Sequence, residues 1–207
     1  MDYTPFFSVI VPAHNAEGYI RKGLDSIRNQ SFTDYELIVV ADACDDNTEE
    51  IAKEYTDNVI ITDYGRDGLA RNTGLDAAKG LWVLFMDDDD WWLHEFAFQM
   101  IHDMVGKNNE DILTFSFIWK HCGYAQNYPR IWIAVWNKCW KRSFIEDTRF
   151  SSVPFDSDVD FHNAMMAKKP LIANWDMPFY YYNYLRTGSQ TEIHEGADKS
   201  HEQMGRD

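Results

Sequence analysis

The stretch Leu81-Trp-Val-Leu-Phe-Met-Asp-Asp-Asp-Asp-Trp-Trp92 runs from apolar side chains straight into four consecutive aspartates. An apolar run bounded by charge reads as a strand buried on both faces. Four carboxylates at its end repel one another, and gathering them in a folded chain is costly without a compensating cation. A divalent metal held by oxygen ligands at the strand mouth supplies that compensation. A solvated acidic turn that caps the next helix is the alternative. Asp87 and Asp89 are two apart, so an extended backbone points both the same way and turns Asp88 to the other side. That pair, completed by phosphate oxygens of a ligand, suits Mg2+ or Mn2+. Asp90 reads as the cap of the following helix.

Upstream, strand and helix patterns alternate. Phe6–Val11 is a β-branched apolar run ended by Pro12, with His14 and Asn15 in the loop after it. Ile20, Leu24 and Ile27 recur at helical spacing, predicting a helix that ends near Gln30. Tyr35–Ala41 is a second strand with Asp42 at its end, and Asp45–Thr48 supplies start residues for a second helix. Asn58–Thr62 is a short third strand, and Leu69–Ala78 a helix closed by Gly80. Such alternation with short loops predicts a parallel sheet with right-handed crossovers. In that arrangement His14-Asn15, Asp42 and Asp87–Asp90 share one sheet edge, the edge where open α/β sheets bind ligands. Convergence from three strands favours a ligand site over solvated turns.

The chain has 207 residues, enough for one sizeable core and short for two domains. A net charge of -15 disfavours a nucleic-acid surface and gives no polybasic membrane anchor. No apolar run approaches the length of a transmembrane helix, and Met1–Pro5 lacks the basic start of a signal peptide. Three cysteines without a C-x-x-C predict a reduced, cytosolic chain.

Downstream of Trp92 the pattern becomes mixed. Phe96, Met100, Ile101 and Met104 predict a helix to about Lys107. Asp111–Trp119 reads as a strand, and Ile131–Trp140 as another with Trp132, Trp136 and Trp140 on one face. Asp158–Lys169 is helical, and Leu171–Trp175 and Phe179–Tyr184 are strands. Asp42 at a strand end suits a ring N–H such as the imide of uracil, or else bonds its own turn. Arg71 reaches a phosphate or carboxylate of the site, or is a solvated helix arginine. Asp158 is a candidate general base at a helix start, where an N-cap is the plainer reading. His162 lies one turn on, on the same face, and is more often an ordinary helix histidine than a ligand. G-x-S-x-G, H-E-x-x-H, Walker A and a G-x-G-x-x-G after the first strand are all missing, which disfavours those chemistries and dinucleotide binding.

Four segments together resemble the family 2 glycosyltransferases, inverting enzymes of the GT-A fold. These are Ser8–Glu17, Val40–Thr48, Gly68-Leu-Ala-Arg-Asn-Thr-Gly74 and Phe85-Met-Asp-Asp-Asp-Asp-Trp91. Trp136-Asn-Lys-Cys-Trp-Lys-Arg142 and Tyr181–Ser189 are similar to segments of that family's acceptor half and closing stretch. The resemblance implies an α/β GT-A (nucleotide-diphospho-sugar transferase) fold with a mostly parallel central sheet flanked by helices and a mixed C-terminal half. It implies one domain over residues 1–193, with a nucleotide-sugar half to 92 and an acceptor half after it; residues 194–207 are polar without apolar periodicity and are expected to form a flexible tail. It also implies that Pro12, His14, Asn15, Glu17, Asp42, Arg71, Asp87, Asp88 and Arg186 bind the nucleotide-sugar. Asp89, aided by Asp87, would hold Mn2+ or Mg2+, and Asp158 would be the base, with Asp156 and Asp160 as rivals. Ala41, His14, Cys44 and Ser157 depart from the family's usual residues.

The expected activity is inverting, metal-dependent transfer of a sugar from a nucleoside diphosphate sugar, by default a UDP-sugar. The acceptor is a hydroxyl of a glycan or lipid-linked molecule, in cell-surface polysaccharide synthesis. The expected location is the cytoplasm or the inner face of the membrane, with peripheral association left open. A non-catalytic nucleotide-sugar binding module is the alternative. A sugar-nucleotide-forming nucleotidyltransferase ranks last, because its Gly-rich basic loop is missing.

Overall fold

A computed structural model describes residues 3–119, 133–153 and 157–183. All described strands join one eight-stranded sheet, in the order β3-β2-β1-β4-β7-β6-β8-β5. The first half supplies β1 (Phe7–Ala13), α1 (Ile20–Arg28), β2 (Tyr35–Asp42), α2 (Thr48–Lys53), β3 (Val59–Thr62), α3 (Asp67–Ala77) and β4 (Trp82–Phe85). Then follow β5 (Trp91–Trp92), α4 (Ala97–Met104), β6 (Ile112–Trp119), β7 (Lys138–Lys141), α5 (Arg142–Ile145), α6 (Ser157–Ala167) and β8 (Ile172–Tyr182).

β1 is central and buried along its whole length. Its side chains alternate between two cores. Phe7, Val9 and Val11 join the core of Leu24, Ile27, Phe98 and Ile101, on the side of α1 and α4. Ile10 joins the opposite core with Ile38, Val40, Leu75 and Phe161, on the side of α3 and α6. This two-sided burial is why the strand reads as a continuous apolar run. Pro12 sits past the point where β4 pairs with β1, so its missing N–H leaves no ladder partner unsatisfied on that side.

β1 pairs in parallel with β2 and β4, and β2 with β3. The ends of these strands therefore meet at one edge, as the alternation predicted. β7 runs antiparallel to β4, with Cys139 opposite Leu84, which brings its N-terminal residues to the same edge. β6 and β8 are parallel to each other, and β8 delivers Tyr180 and Asn183 there.

The second half corrects several expectations. Ile172–Tyr182 is one strand, irregular against β6 around Ser116 and Pro178, where two strands were expected. Among the described residues of the Trp-rich segment, strand structure covers only Lys138–Lys141, and Trp136 and Trp140 enter different cores. Trp132, Arg186, Asp156 and the 194–207 tail lie outside the described residues. Phe96 is 53% exposed, while Phe98 and Ile101 turn inward. The helical face of α4 is thus set by a later start than the spacing suggested.

Gly80, expected only as a helix stop, has a packing role. A Cβ on it would lie 2.4 Å from the Ser8 backbone N and 2.6 Å from the Phe7 carbonyl carbon. Its N–H donates to Ser8 Oγ at 2.8 Å. Backbone atoms of the central strand have nowhere to move. Gly80→Ala is expected to lower stability by about 1–3 kcal/mol, read as a fall in the urea midpoint at unchanged slope.

Candidate active site

β4 stops at Phe85, and Asp87–Asp90 form a turn closed by an Asp90 N–H to Asp87 carbonyl bond of 3.2 Å. Strand alternation therefore does not extend through the acids. Asp87 Oδ1 takes Arg71 Nη2 at 2.7 Å, while Asp88 Oδ2 accepts the His14 N–H at 3.0 Å. Asp88 is thus turned towards the β1 loop, not away from the site. Asp87 shares Oδ1 with Arg71 and keeps a side chain that is 26% exposed. Asp90 is no helix cap, since α4 begins at Ala97. It is 1% exposed and accepts the Tyr180 hydroxyl at 2.7 Å and the Asn183 N–H at 2.7 Å. Burial pushes its carboxyl well above the usual range, reinforced by the charges of Asp89 and Asp87. The Tyr180 hydroxyl in turn accepts the Asp87 N–H at 3.0 Å, so one phenol fastens both ends of the acid turn.

The β1 and β2 loops lock onto each other. His14 Nδ1 lies 2.8 Å from the Asp42 carbonyl oxygen. A carbonyl only accepts, so Nδ1 carries the proton. Asn15, at a φ of 48°, accepts the Asp45 N–H on its side-chain oxygen at 2.9 Å. Glu17 accepts the Asn47 N–H and amide, at 3.1 and 2.7 Å. Asn15 and Glu17 thus brace the β2–α2 loop. Asp42 is buried, and its carboxylate takes the Thr62 hydroxyl at 2.8 Å, the Tyr64 N–H at 2.7 Å and the Arg66 N–H at 2.9 Å. Two of these donors are on Oδ1 and one is on Oδ2. Asp42 shapes the β3–α3 loop, as a strand-end aspartate with three donors does.

Arg71 is the centre of the site. It is 4% exposed on α3, with Nη1 2.5 Å from Asp67 and 3.4 Å from Asp158, and Nη2 on Asp87. Burial works against its charge, and Asp158, Asp87 and Asp67 more than restore it. Asp67 was missed in the sequence, although its i,i+4 spacing to Arg71 was there to read. Asp67 Oδ2 also accepts the Ser157 hydroxyl at 3.2 Å, joining α3 to the start of α6. Gly68 permits this contact, since a Cβ there would lie 2.5 Å from the Ser151 carbonyl oxygen.

Asp158 stands in the first turn of α6, where the helix dipole favours a carboxylate. Its side chain is 22% exposed, and Oδ1 is buried with no hydrogen bond. Burial raises its carboxyl above the usual range, and Arg71 pulls it back. Asp160 is exposed, which separates it from this cluster. His162 is buried with Nδ1 unpartnered, and burial pushes its protonation down.

Among the described residues, no three ligating side chains converge as a metal cage. Asp88 and Asp89 are half-buried oxygen donors at the strand mouth, of the chemistry Mg2+ or Mn2+ takes. They fit an ion that draws its remaining ligands from phosphate oxygens. No described helix is long and apolar enough to cross a membrane.

A parallel sheet with an acidic turn at its ligand edge, extended by a mixed second half, is the GT-A architecture. The chain belongs to glycosyl transferase family 2, whose sequence profile matches residues 8–175. It is 43% identical to glycosyltransferase GlyA of Streptococcus pneumoniae over 90% of this chain and 31% of that protein. The chain spans about half of one curated relative it matches and about a third of another. It resembles the structure of Staphylococcus aureus TarS 1-349 with UDP, at a TM-score of 0.76 and 24% identity, over 86% of this chain and 60% of that one. It also resembles mannosyltransferase PcManGT of Pyrobaculum calidifontis with GDP-Man and Mn2+, at 0.71 and 18%, over 90% and 59%.

Arg71→Met leaves three carboxylates facing one another and is expected to cost about 3–5 kcal/mol at neutral pH, measured by urea denaturation. Asp90 gives a pH-dependent test. A carboxyl raised in the folded state contributes stability that is complete below its unfolded value and lost as pH rises through the folded one. Asp90→Asn removes that loss. Without divalent ions, its stability relative to the parent should climb from about pH 4 to pH 8.

Proposed function

We propose that this chain moves a sugar from a nucleoside diphosphate sugar, by default a UDP-sugar, to a hydroxyl of a glycan or lipid-linked acceptor. The transfer inverts the anomeric centre and serves cell-surface polysaccharide assembly at the cytoplasmic side of the membrane. One observation carries the reading. A largely buried carboxylate, Asp158, faces the acid turn of β4 across a single arginine. The UDP and GDP-Man complexes of TarS and PcManGT support a nucleotide-sugar donor.

In this mechanism Asp158 accepts the acceptor hydroxyl's proton as its oxygen attacks the anomeric carbon, opposite the departing diphosphate. The new C–O bond forms as the bond to the diphosphate oxygen breaks. Arg71 fixes Asp158 relative to the acid turn, and its charge favours the ionised form against the effect of burial. His14, Asn15, Pro12 and Glu17 shape the nucleotide end from the β1 loop, and Asp42 does so through residues 62–66. Asp89, with Asp88 beside it, would hold Mn2+ or Mg2+, which supplies positive charge to the leaving diphosphate. Arg186 is assigned to the diphosphate from the resemblance alone.

Two substitutions separate the roles. Asp89→Ala should lose the thermal stabilisation that UDP gives in Mn2+, by mass action. Asp158→Asn should keep that stabilisation and lose at least about 100-fold in transfer. Normal transfer by Asp158→Asn would remove the assigned base. Tight UDP binding without turnover on any acceptor would favour the binding-module alternative.

A further inference from the structure

Lys138 is the one buried lysine among the residues described, and nothing above uses it. It is 0% exposed at the start of β7, one step beyond the Leu84–Cys139 pair and hence at the ligand edge. Its Nζ donates to the Ala134 carbonyl oxygen and to Asn137 Oδ1, the latter at 2.8 Å. The next atom along that chain matters. The Ala134 carbonyl and the Val135 N–H belong to the same peptide group, and the Val135 N–H donates to Asp158 Oδ2 at 3.4 Å.

A trans peptide group has its C=O and N–H on opposite sides. An ammonium on the oxygen and a carboxylate on the N–H therefore lie at the two ends of one dipole, each oriented as that dipole favours. Hydrogen bonds linked in this way polarise one another, and low local dielectric strengthens the effect. The turn is itself fixed, because the Val135 carbonyl accepts Trp140 Nε1–H at 3.1 Å. Trp140 packs edge-on to Phe161 of α6, at 5.3 Å between centroids. The peptide cannot rotate away without disturbing the core.

We propose that Lys138 is a positioning residue for Asp158, acting through the Ala134–Val135 peptide group to hold the base as an oriented carboxylate. The role assigned to Asp158 rests on the function proposed above; the charge coupling between the two residues does not. Lys138 complements Arg71. Arg71 approaches Oδ1 from α3, and the polarised N–H approaches Oδ2 from the β7 side. Other charged or titratable groups around Asp158 are Asp67 on α3, Asp87 after β4 and His162 on its own helix. The electrostatics agree with the geometry. Burial pulls the Lys138 ammonium down to about 7, and Asp158 is the group that raises it. The same ammonium helps keep His162 neutral.

The test is a reciprocal titration by NMR on the intact protein, free of donor and divalent ions. Asp side-chain carboxyl carbons and Lys side-chain Cε carbons are labelled with 13C. Asp158→Asn and Lys138→Arg assign the two signals. In Lys138→Met the Asp158 midpoint should rise by at least about half a pH unit, because a favourable cation is gone. In Lys138→Arg it should stay near the parent value. In Asp158→Asn, an isosteric change, the Lys138 midpoint should fall by at least about half a unit, since linkage is mutual. A smaller shift of Lys138 in Asp158→Asn overturns the proposal, even if Lys138→Met fails to fold. Transfer retained by Asp158→Asn would remove the base assignment and leave the coupling standing. Transfer lost in Asp158→Asn with no coupling would remove only Lys138.

Discussion

A guanidinium buried among three carboxylates is the constraint on which this site depends. Arg71 takes Asp67 from its own helix, Asp87 from the end of β4 and Asp158 from α6. Each of these groups alone is expensive to bury. Together they are affordable, and the arrangement has one geometry, because a planar fork fits carboxylates in few directions. Arg71 therefore ties α3 and the end of β4 to the first turn of α6. Breaking it leaves uncompensated charge, which is why a pair that adds little net stability is so costly to lose.

The acid turn shows a second economy of the same kind. Four aspartates in a row have four different environments. Asp87 faces Arg71, Asp88 faces the His14 N–H, Asp89 is half-buried at the mouth, and Asp90 is sealed beneath Tyr180 and Asn183. Tyr180 is stacked on Trp136 at 4.7 Å and fully buried, so the aromatic content of the C-terminal half serves as the rigid floor of an acidic turn. The chain's net negative charge is thus concentrated, at this point, by built supports and not by solvation.

Much of the fold was legible because its signals are local. Periodicity and apolar runs located β1 to β4 and the helices between them, and parallel connectivity put their ends at one edge. The second half was less legible. Aromatic residues occur in strands, turns and cores alike, so Ile131–Trp140 read as a longer strand than β7, and β8 as two. In the site, Asp158 and Arg71 were both singled out as candidates, and the structure joins them in one ion pair. Asp88 was expected to face away and instead meets the His14 N–H, and the loop partners of Asp42 were not legible, since residues 62–66 and His14 are remote in sequence from the acids they bond. Tyr180 left no signal, because a buried tyrosine in an aromatic strand looks like core.

The class of fold, the family and the short list of charged residues at the strand ends were legible from the chain alone. The fold class and the charged list follow from spacing within segments of about ten residues, and the family from the resemblance of the motifs at Ser8–Glu17, Val40–Thr48, Gly68–Gly74 and Phe85–Trp91. Which aspartate faces which partner emerged only once the elements were packed together. Strand alternation ends where the backbone turns, and after that a carboxylate's direction is set by the donors that distant elements bring to it. The same holds for Lys138. Its place in the chain is plain, but its link to Asp158 passes through one peptide group, and that link exists only because α6 packs against the turn before β7.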